Sequence, residues 1–209
     1  MNNSMISPQV NWEDLQLKTP VKLGILASGS GTNFVAIVES ILARQLNAKI
    51  QVLICNNPQA KVFEKAANYG VNSVLINHRQ FKSREDFDHK VAETLRNYDV
   101  EWVIMAGWMR CATQVLLDAF PQKIINIHPS LLPSFKGIKG VEQTLNYGVK
   151  IGGCTVHLVA LEVDSGPILM QAVVPILPDD TPETLHSRIQ VQEHIIFPQA
   201  IALAVKQVS

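Results

Sequence analysis

Cysteine is scarce in this 209-residue chain: Cys55, Cys111 and Cys154 are odd in number and far apart. That spacing excludes a disulfide framework and a paired-cysteine zinc motif, and it fits reduced thiols in a cytoplasmic protein. An excess of either charge is also missing, with 18 Lys+Arg against 18 Asp+Glu. Without a basic cluster, the electrostatic footprint of a nucleic-acid or membrane-surface binder is absent. No uninterrupted apolar run approaches the roughly 18 residues of a membrane helix. The first 19 residues have neither the basic start and apolar middle of a signal peptide nor the Arg-rich character of a transit peptide. What is present is apolar content of 47%, which excludes disorder and supplies one large domain with a core.

Residues 1–19 show no apolar periodicity and read as a loosely ordered extension ending at Pro20, before a single domain over 20–209. From Val21 onward, short apolar runs alternate with helical stripes. Strands are expected at 21–27, 50–55, 73–76, 102–106 and 123–127. Phe34, Ile37, Val38, Ile41 and Leu42 form one helical stripe; Val62, Phe63, Ala66 and Ala67 form a second, stopped by Gly70; Phe87, Val91 and Leu95 form a third. Ser83 and Asp86 have capping-box spacing at the start of that third helix. The alternation predicts an α/β fold: a Rossmann-like, mostly parallel twisted sheet with helices on both faces. After His128 the pattern changes. Two β segments at 150–161 and 168–175, joined by Asp164-Ser-Gly-Pro167, predict a C-terminal antiparallel addition. A last helix begins at Pro182, with Pro198 expected to kink or restart it.

Ser28-Gly-Ser-Gly-Thr-Asn33 lies between the first strand and the first helix. Free amides and the helix dipole make such a place an anion site, and Gly29 and Gly31 allow close backbone approach. The dinucleotide fingerprint would need a third Gly where Phe34 stands, and an acid near Cys55-Asn56-Asn57. A monophosphate is therefore favoured over a dinucleotide, the alternative being a glycine-rich turn without a ligand.

Asn126-Ile-His-Pro-Ser-Leu-Leu-Pro133 follows the fifth strand. Strand alternation puts Asn126 and His128 on one side, toward the carboxyl edge where open α/β sheets bind ligands. An amide can stabilise an oxyanion while an imidazole moves a proton, which suits acyl chemistry. A hydrogen-bonded strand-end histidine is the plainer alternative. Asp164 is the natural third member, because a carboxylate beside an imidazole favours its charged form. A turn aspartate bonded to backbone is its alternative, and Glu162 competes for the role.

Taken together, the Gly-Ser-Gly-Thr-Asn loop, Gly107-Trp-Met-Arg110, Asn126-x-His-Pro-Ser-Leu-Leu-Pro133, Asp164-x-Gly-Pro167 and Gln190-Val-Gln-Glu193-His-x-x-Phe-Pro198 resemble the phosphoribosylglycinamide formyltransferase family, from about Val21 to the C-terminus. The resemblance implies formyl transfer from 10-formyltetrahydrofolate, as cosubstrate, to the amine of 5′-phosphoribosylglycinamide in purine biosynthesis. It implies a catalytic trio of Asn126, His128 and Asp164. Gly31, Thr32 and Asn33 would hold the substrate phosphate. Gln190 and Glu193, three apart on one helix face distinct from the Leu185/Ile189 stripe, would meet its ribose or glycinamide end. Arg84, Met109, Arg110, Cys111, Ala112 and Asn126 would border the folate. No metal is implied, nor is a nucleic-acid or membrane partner; the expected partners are small molecules, and the expected state is a monomer or weak homodimer in the cytoplasm.

The sequence departs from many relatives after Leu-Leu-Pro, where 137–142 carries no histidine and Lys136 and Lys139 offer positive charge instead. Cys111 and Ala112 replace bulkier aliphatics. Of the remaining histidines, His78, His89 and His186 read as surface residues and His157 as a strand residue. The rival readings are another 10-formyltetrahydrofolate-dependent formyltransferase, a hydrolase of that cosubstrate, and a non-catalytic phosphate-binding module.

Overall fold

A computed structural model describes residues 5–208. In chain order the elements are β1 (Met5–Ser7), β2 (Val21–Ala27), α1 (Thr32–Leu42), β3 (Ala48–Cys55), α2 (Val62–Asn68), β4 (Ser73–Leu75), α3 (Arg84–Asn97), β5 (Trp102–Met105), α4 (Gln114–Ala119), β6 (Ile124–His128), α5 (Gly140–Tyr147), β7 (Ile151–Leu158), β8 (Ile168–Pro175) and α6 (Pro182–Val208), with a 3₁₀ turn at His78–Gln80.

One sheet runs in the order β1-β8-β7-β6-β5-β2-β3-β4. The parallel strands β4-β3-β2-β5-β6, counted among themselves in chain order, read 3-2-1-4-5, the order of a doubly wound sheet. Its direction of winding reverses between β2 and β5, so a crevice opens where the glycine loop and the segment after β5 leave the sheet. β7 and β8 extend the sheet antiparallel beyond β6, matching the expected late addition, and β1 adds to β8 at the edge.

The two faces carry separate cores. Leu23, Ile25, Leu53 and Ile104 pack under α1 and α6, while Leu26, Val52, Ile54 and Val103 pack under α3 and α4. Adjacent strand residues thus face opposite layers, the signature of a sheet covered on both sides. In α3 the Ser83 hydroxyl accepts from the Asp86 amide at 3.0 Å, worth about 1 kcal/mol. Fully burying Phe87, Val91 and Leu95 is worth about 1.5–3 kcal/mol each, so docking rather than capping holds this polar helix. Gly24 permits that docking: a Cβ there would stand 2.4 Å from Leu95 Cδ2.

Three expectations need correction. Leu42 is 68% exposed rather than part of the buried stripe, because it ends α1 beyond the reach of the sheet. Pro198 does not restart α6: the helix runs as one element from Pro182 to Val208 with Pro198 buried inside it. The leading segment does not hang loosely from residue 5 onward. β1 pairs with β8 through Met5↔Val173 to Ser7↔Gln171, Leu15 is 2% exposed, and Trp12 and Leu17 pack on the core. The first four residues of the expected extension lie outside the described residues.

Candidate active site

Three loops meet at the carboxyl edge of the parallel strands. The first follows β2. Gly31 caps α1 with φ +72° and no side-chain cap bond, and the first turn carries no acid. The opening amides of α1 are therefore left for an anion. Glycine is required at 31 twice over: by the left-handed backbone, and because a Cβ would stand 2.4 Å from Val62 Cγ2.

The distant α6 closes on this loop. Gln190 Nε2 donates to Thr32 Oγ1 at 2.9 Å, and Asn33 Nδ2 donates to Glu193 Oε2 at 2.9 Å. The four residues expected to share one substrate are thus brought together across about 160 positions of chain. Asn33 Oδ1 is buried without a partner among the described residues. Burial pushes the Glu193 carboxyl above its ordinary value, against the opposing pull of the Asn33 hydrogen bond and the His186 charge. Glu193 does not occupy a face distinct from Leu185 and Ile189. It falls four residues after Ile189, in the same buried stripe, and is 4% exposed.

The second loop follows β6. Ile124 packs in the α3/α4 core, so Asn126 and His128 share its side of the strand. The antiparallel register sets His157 opposite Asn126 and Thr155 opposite His128. The loop after β7 then returns Asp164, at φ +50°, to this surface. Asp164 Oδ2 lies 3.3 Å from His128 Nδ1, and Oδ1 lies 3.5 Å from His157 Nε2. The Gly137 amide donates to Asp164 Oδ2 at 2.8 Å. Burial alone would raise the Asp164 carboxyl; the His157 contact, the Gly137 amide and the two imidazoles outweigh it and hold the carboxyl below its ordinary value. His128 Nε2 lies 2.9 Å from the Phe135 carbonyl. With an acceptor at each ring nitrogen, His128 donates to both only as the imidazolium.

Asp164, not Glu162, is the acid that reaches His128; Glu162 is spent on Lys136 at 3.3 Å. Lys139 sits at the α5 N-cap at φ +60°, and neither lysine touches the trio through a hydrogen bond or ion pair.

The third loop follows β5. Ser28 donates its amide to the Gly107 carbonyl at 3.1 Å, and the Met109 amide donates to Ser28 Oγ at 2.9 Å, so the first and third loops are tied together. Met109 is 74% exposed and Cys111 is exposed. The Arg110 guanidinium lies 4.9 Å from the centre of the Phe87 ring, which itself stacks on Trp108. Arg84 Nη2 donates to the Cys111 carbonyl at 3.3 Å, so this first-turn residue braces the segment. Ala112 is buried in the α3/α4 core and presents no open wall.

His157 was legible only as a strand residue, yet it joins the cluster. It is 2% exposed, donates through Nδ1 to the Leu158 carbonyl at 2.8 Å, and meets Asn126 Nδ2 with Nε2 at 3.1 Å. Its signal is the β6–β7 register, which periodicity alone does not supply.

Residues 21–201 match the formyl transferase family. The chain is 41% identical over 180 residues to the phosphoribosylglycinamide formyltransferase of Bacillus subtilis, covering 86% of this chain and 92% of that one. It is 39% identical over 186 residues to the human trifunctional purine biosynthetic protein adenosine-3, covering 89% of this chain but spanning only 18% of that protein's length. Among solved structures, glycinamide ribonucleotide transformylase 1 from Symbiobacterium toebii superposes with a TM-score of 0.87 at 43% identity, covering 88% of this chain and 87% of the other.

Proposed function

From the premise that this chain belongs to the formyl transferase family, we propose that it transfers the formyl group of 10-formyltetrahydrofolate to the amine of 5′-phosphoribosylglycinamide, a step of purine biosynthesis. The observation that carries this reading is the Asp164 contact with both His128 and His157 on the sheet edge that also bears the glycine loop. An anion site and an acyl-transfer cluster on one edge suit a phosphorylated amine acceptor.

The folate supplies the formyl group and accepts a proton on its departing nitrogen. The chain's residues do the rest. The α1 amides and Thr32 hold the substrate phosphate. Gln190 and Glu193 position its ribosyl or glycinamide part, with Glu193 oriented by Asn33. Residues 109–111, Arg84 and Asn126 border the folate. Asn126 has an N–H and its carbonyl oxygen without a second partner among the described residues, so its N–H can face the charge that develops on the formyl oxygen as the neutral amine attacks. His128, held by Asp164, donates a proton as the old carbon–nitrogen bond breaks and the new one forms. The proton released by the attacking amine restores the imidazolium. Bringing two bound substrates into line supplies much of the remaining acceleration. In the observed arrangement the Phe135 carbonyl caps His128 Nε2, so segment 134–139 yields that contact during turnover.

The reaction as written needs no metal. Further parts of the proposal are small-molecule partners only, a monomer or weak homodimer, and a cytoplasmic location. Among the described residues no helix is long and apolar enough to cross a membrane.

A spectrophotometric assay with a 10-formyl folate donor and glycinamide ribonucleotide tests the reading. Turnover dependent on both substrates is the expected result. Donor consumption without the acceptor indicates a hydrolase, turnover with another acceptor only indicates a different formyltransferase, and binding without turnover indicates a non-catalytic module; each of these overturns it.

A further inference from the structure

A groove of about 540 Å³ opens between α1 and α6, and Trp12 of the leading segment and Lys65 of α2 complete its rim. None of Asn126, His128, His157 and Asp164 lines it. Its polar floor lacks partners. Ser40 is 6% exposed and lines the groove, and its hydroxyl has no hydrogen-bond partner among the described residues; buried His194 Nε2 has none either. Leaving a buried hydroxyl unsatisfied costs about 1–3 kcal/mol, so a small rotation that brings the Ser40 hydroxyl to a ligand in the groove is favoured.

The charges around the groove define what enters. Glu39 on α1 and Lys65 on α2 both face it, yet they form no ion pair with one another. Glu39 Oε1 accepts from the Tyr69 hydroxyl at 3.3 Å, leaving Oε2 open, and the Lys65 ammonium has no hydrogen-bond or ion-pair partner among the described residues. Both charges act on His194, which lies between them in effect: Glu39 favours its protonation and Lys65 opposes it, while burial, the largest influence, keeps the ring toward its neutral form. Trp12, Val35, Ile195 and Pro198 supply apolar wall, and Thr32, Gln45 and Gln199 supply further polar lining.

We propose that this groove binds a small zwitterion of the α-amino-acid class with an apolar side chain. Its ammonium meets Glu39, its carboxylate meets Lys65, the Ser40 hydroxyl and His194 Nε2 bond the polar head, and the side chain lies against Trp12, Ile195 and Pro198. The upper end of the groove is Thr32, the residue that Gln190 holds at the glycine loop. Occupancy therefore reaches the phosphate end of the proposed substrate site through one side chain.

The test is calorimetric titration of the full chain with L-leucine and L-phenylalanine, beside 4-methylpentanoate, which lacks the amine, and 3-methylbutylamine, which lacks the carboxylate. Saturable binding of at least one amino acid in the millimolar range is expected. The two half-ligands should bind about fivefold more weakly or worse, and so should the Glu39→Gln and Lys65→Gln variants, since each loses one ion pair worth up to about 1 kcal/mol. Amide shifts on binding should centre on Ser40 and His194, and binding should persist in His128→Ala. The proposal is overturned by the absence of saturable binding up to about 50 mM. Equal affinity for the half-ligands, unchanged affinity in the folded Glu39→Gln/Lys65→Gln double variant, or shifts confined to the β6 edge overturn it as well. None of these readouts uses formyl transfer, so the outcome is independent of the catalytic assay.

Discussion

Asn126 Nδ2 lies 3.1 Å from His157 Nε2 across the β6–β7 ladder. With Nδ1 donating to the Leu158 carbonyl, the His157 ring is fixed so that its Nε2 edge meets both the Asn126 amide and Asp164 Oδ1. His157 thereby orients Asn126 without reaching the reacting atoms itself. His157→Leu should lower kcat about 100-fold with little change in either KM, because a misaimed amide loses transition-state contacts rather than ground-state binding. His157→Gln, which keeps a polar end beside Asn126 and Asp164, should recover part of the loss. Steady-state kinetics decide: an unchanged kcat, or a loss confined to KM, refutes the positioning role.

His128→Ala should lower turnover by about 10²–10⁴-fold while leaving folding intact, as expected for removal of a general acid. The buried site makes a thermal unfolding scan a necessary companion. Near-normal turnover in a folded variant removes His128 from the mechanism.

The Asp164 carboxyl titrates lower in the folded chain than its ordinary value of 3.8. A depressed carboxyl contributes stability above that value and loses it as pH falls through the lower folded value. The stability gap between the parent protein and Asp164→Asn should therefore be full above about pH 5 and shrink in acid. Urea unfolding at a series of pH values measures it; a gap that stays constant into acid contradicts the depressed titration. Because Asp164 also holds the Gly137 amide, segment 134–139 should loosen over the same acid range.

Glu193 runs the other way. Its carboxyl is raised by burial above 4.5, so the folded state holds a proton longer than the unfolded chain and loses stability as pH rises through that window. Glu193→Gln keeps an acceptor for Asn33 but removes the buried charge. It should be more stable than the parent at neutral pH, yet show a KM for the phosphoribosyl substrate raised about tenfold, the worth of one charged hydrogen bond. A variant less stable at pH 8 than the parent contradicts the raised titration.

Gly31→Ala should be destabilising by about 1–3 kcal/mol, since it combines a positive φ with a Cβ overlapping Val62. Substrate affinity should fall with it, because the α1 amides shift. Gly29→Ala, where a Cβ meets nothing within 4 Å, is the matched control and should change stability little. Equal effects of the two substitutions refute the close-packing account of Gly31.

The parallel half of the fold was legible because its strands are continuous apolar runs and its helices carry stripes: 21–27 was read to the residue, and the antiparallel pair at 151–158 and 168–175 was marked by its turn. The site was legible where local order suffices, as for Asn126 and His128, two apart on one strand. Register was not. His157 joined the site through pairing across β6 and β7, and Glu193 proved buried because it falls four residues from Ile189. The leading segment was misread because its contacts are with residues far along the chain: β1 adds to β8, and Leu15 is covered by the domain, neither of which shows as periodicity.

Near its other end the same segment meets α6, where the Lys206 ammonium donates to the Asp14 carbonyl. The leading segment is thus fastened twice, to the edge strand β8 near residue 5 and to the last turn of α6 near residue 14. Contacts between stretches so far apart in sequence carry a loop-closure cost that local contacts do not, so local opening of the molecule should begin at this segment and leave the carboxyl edge of the sheet whole.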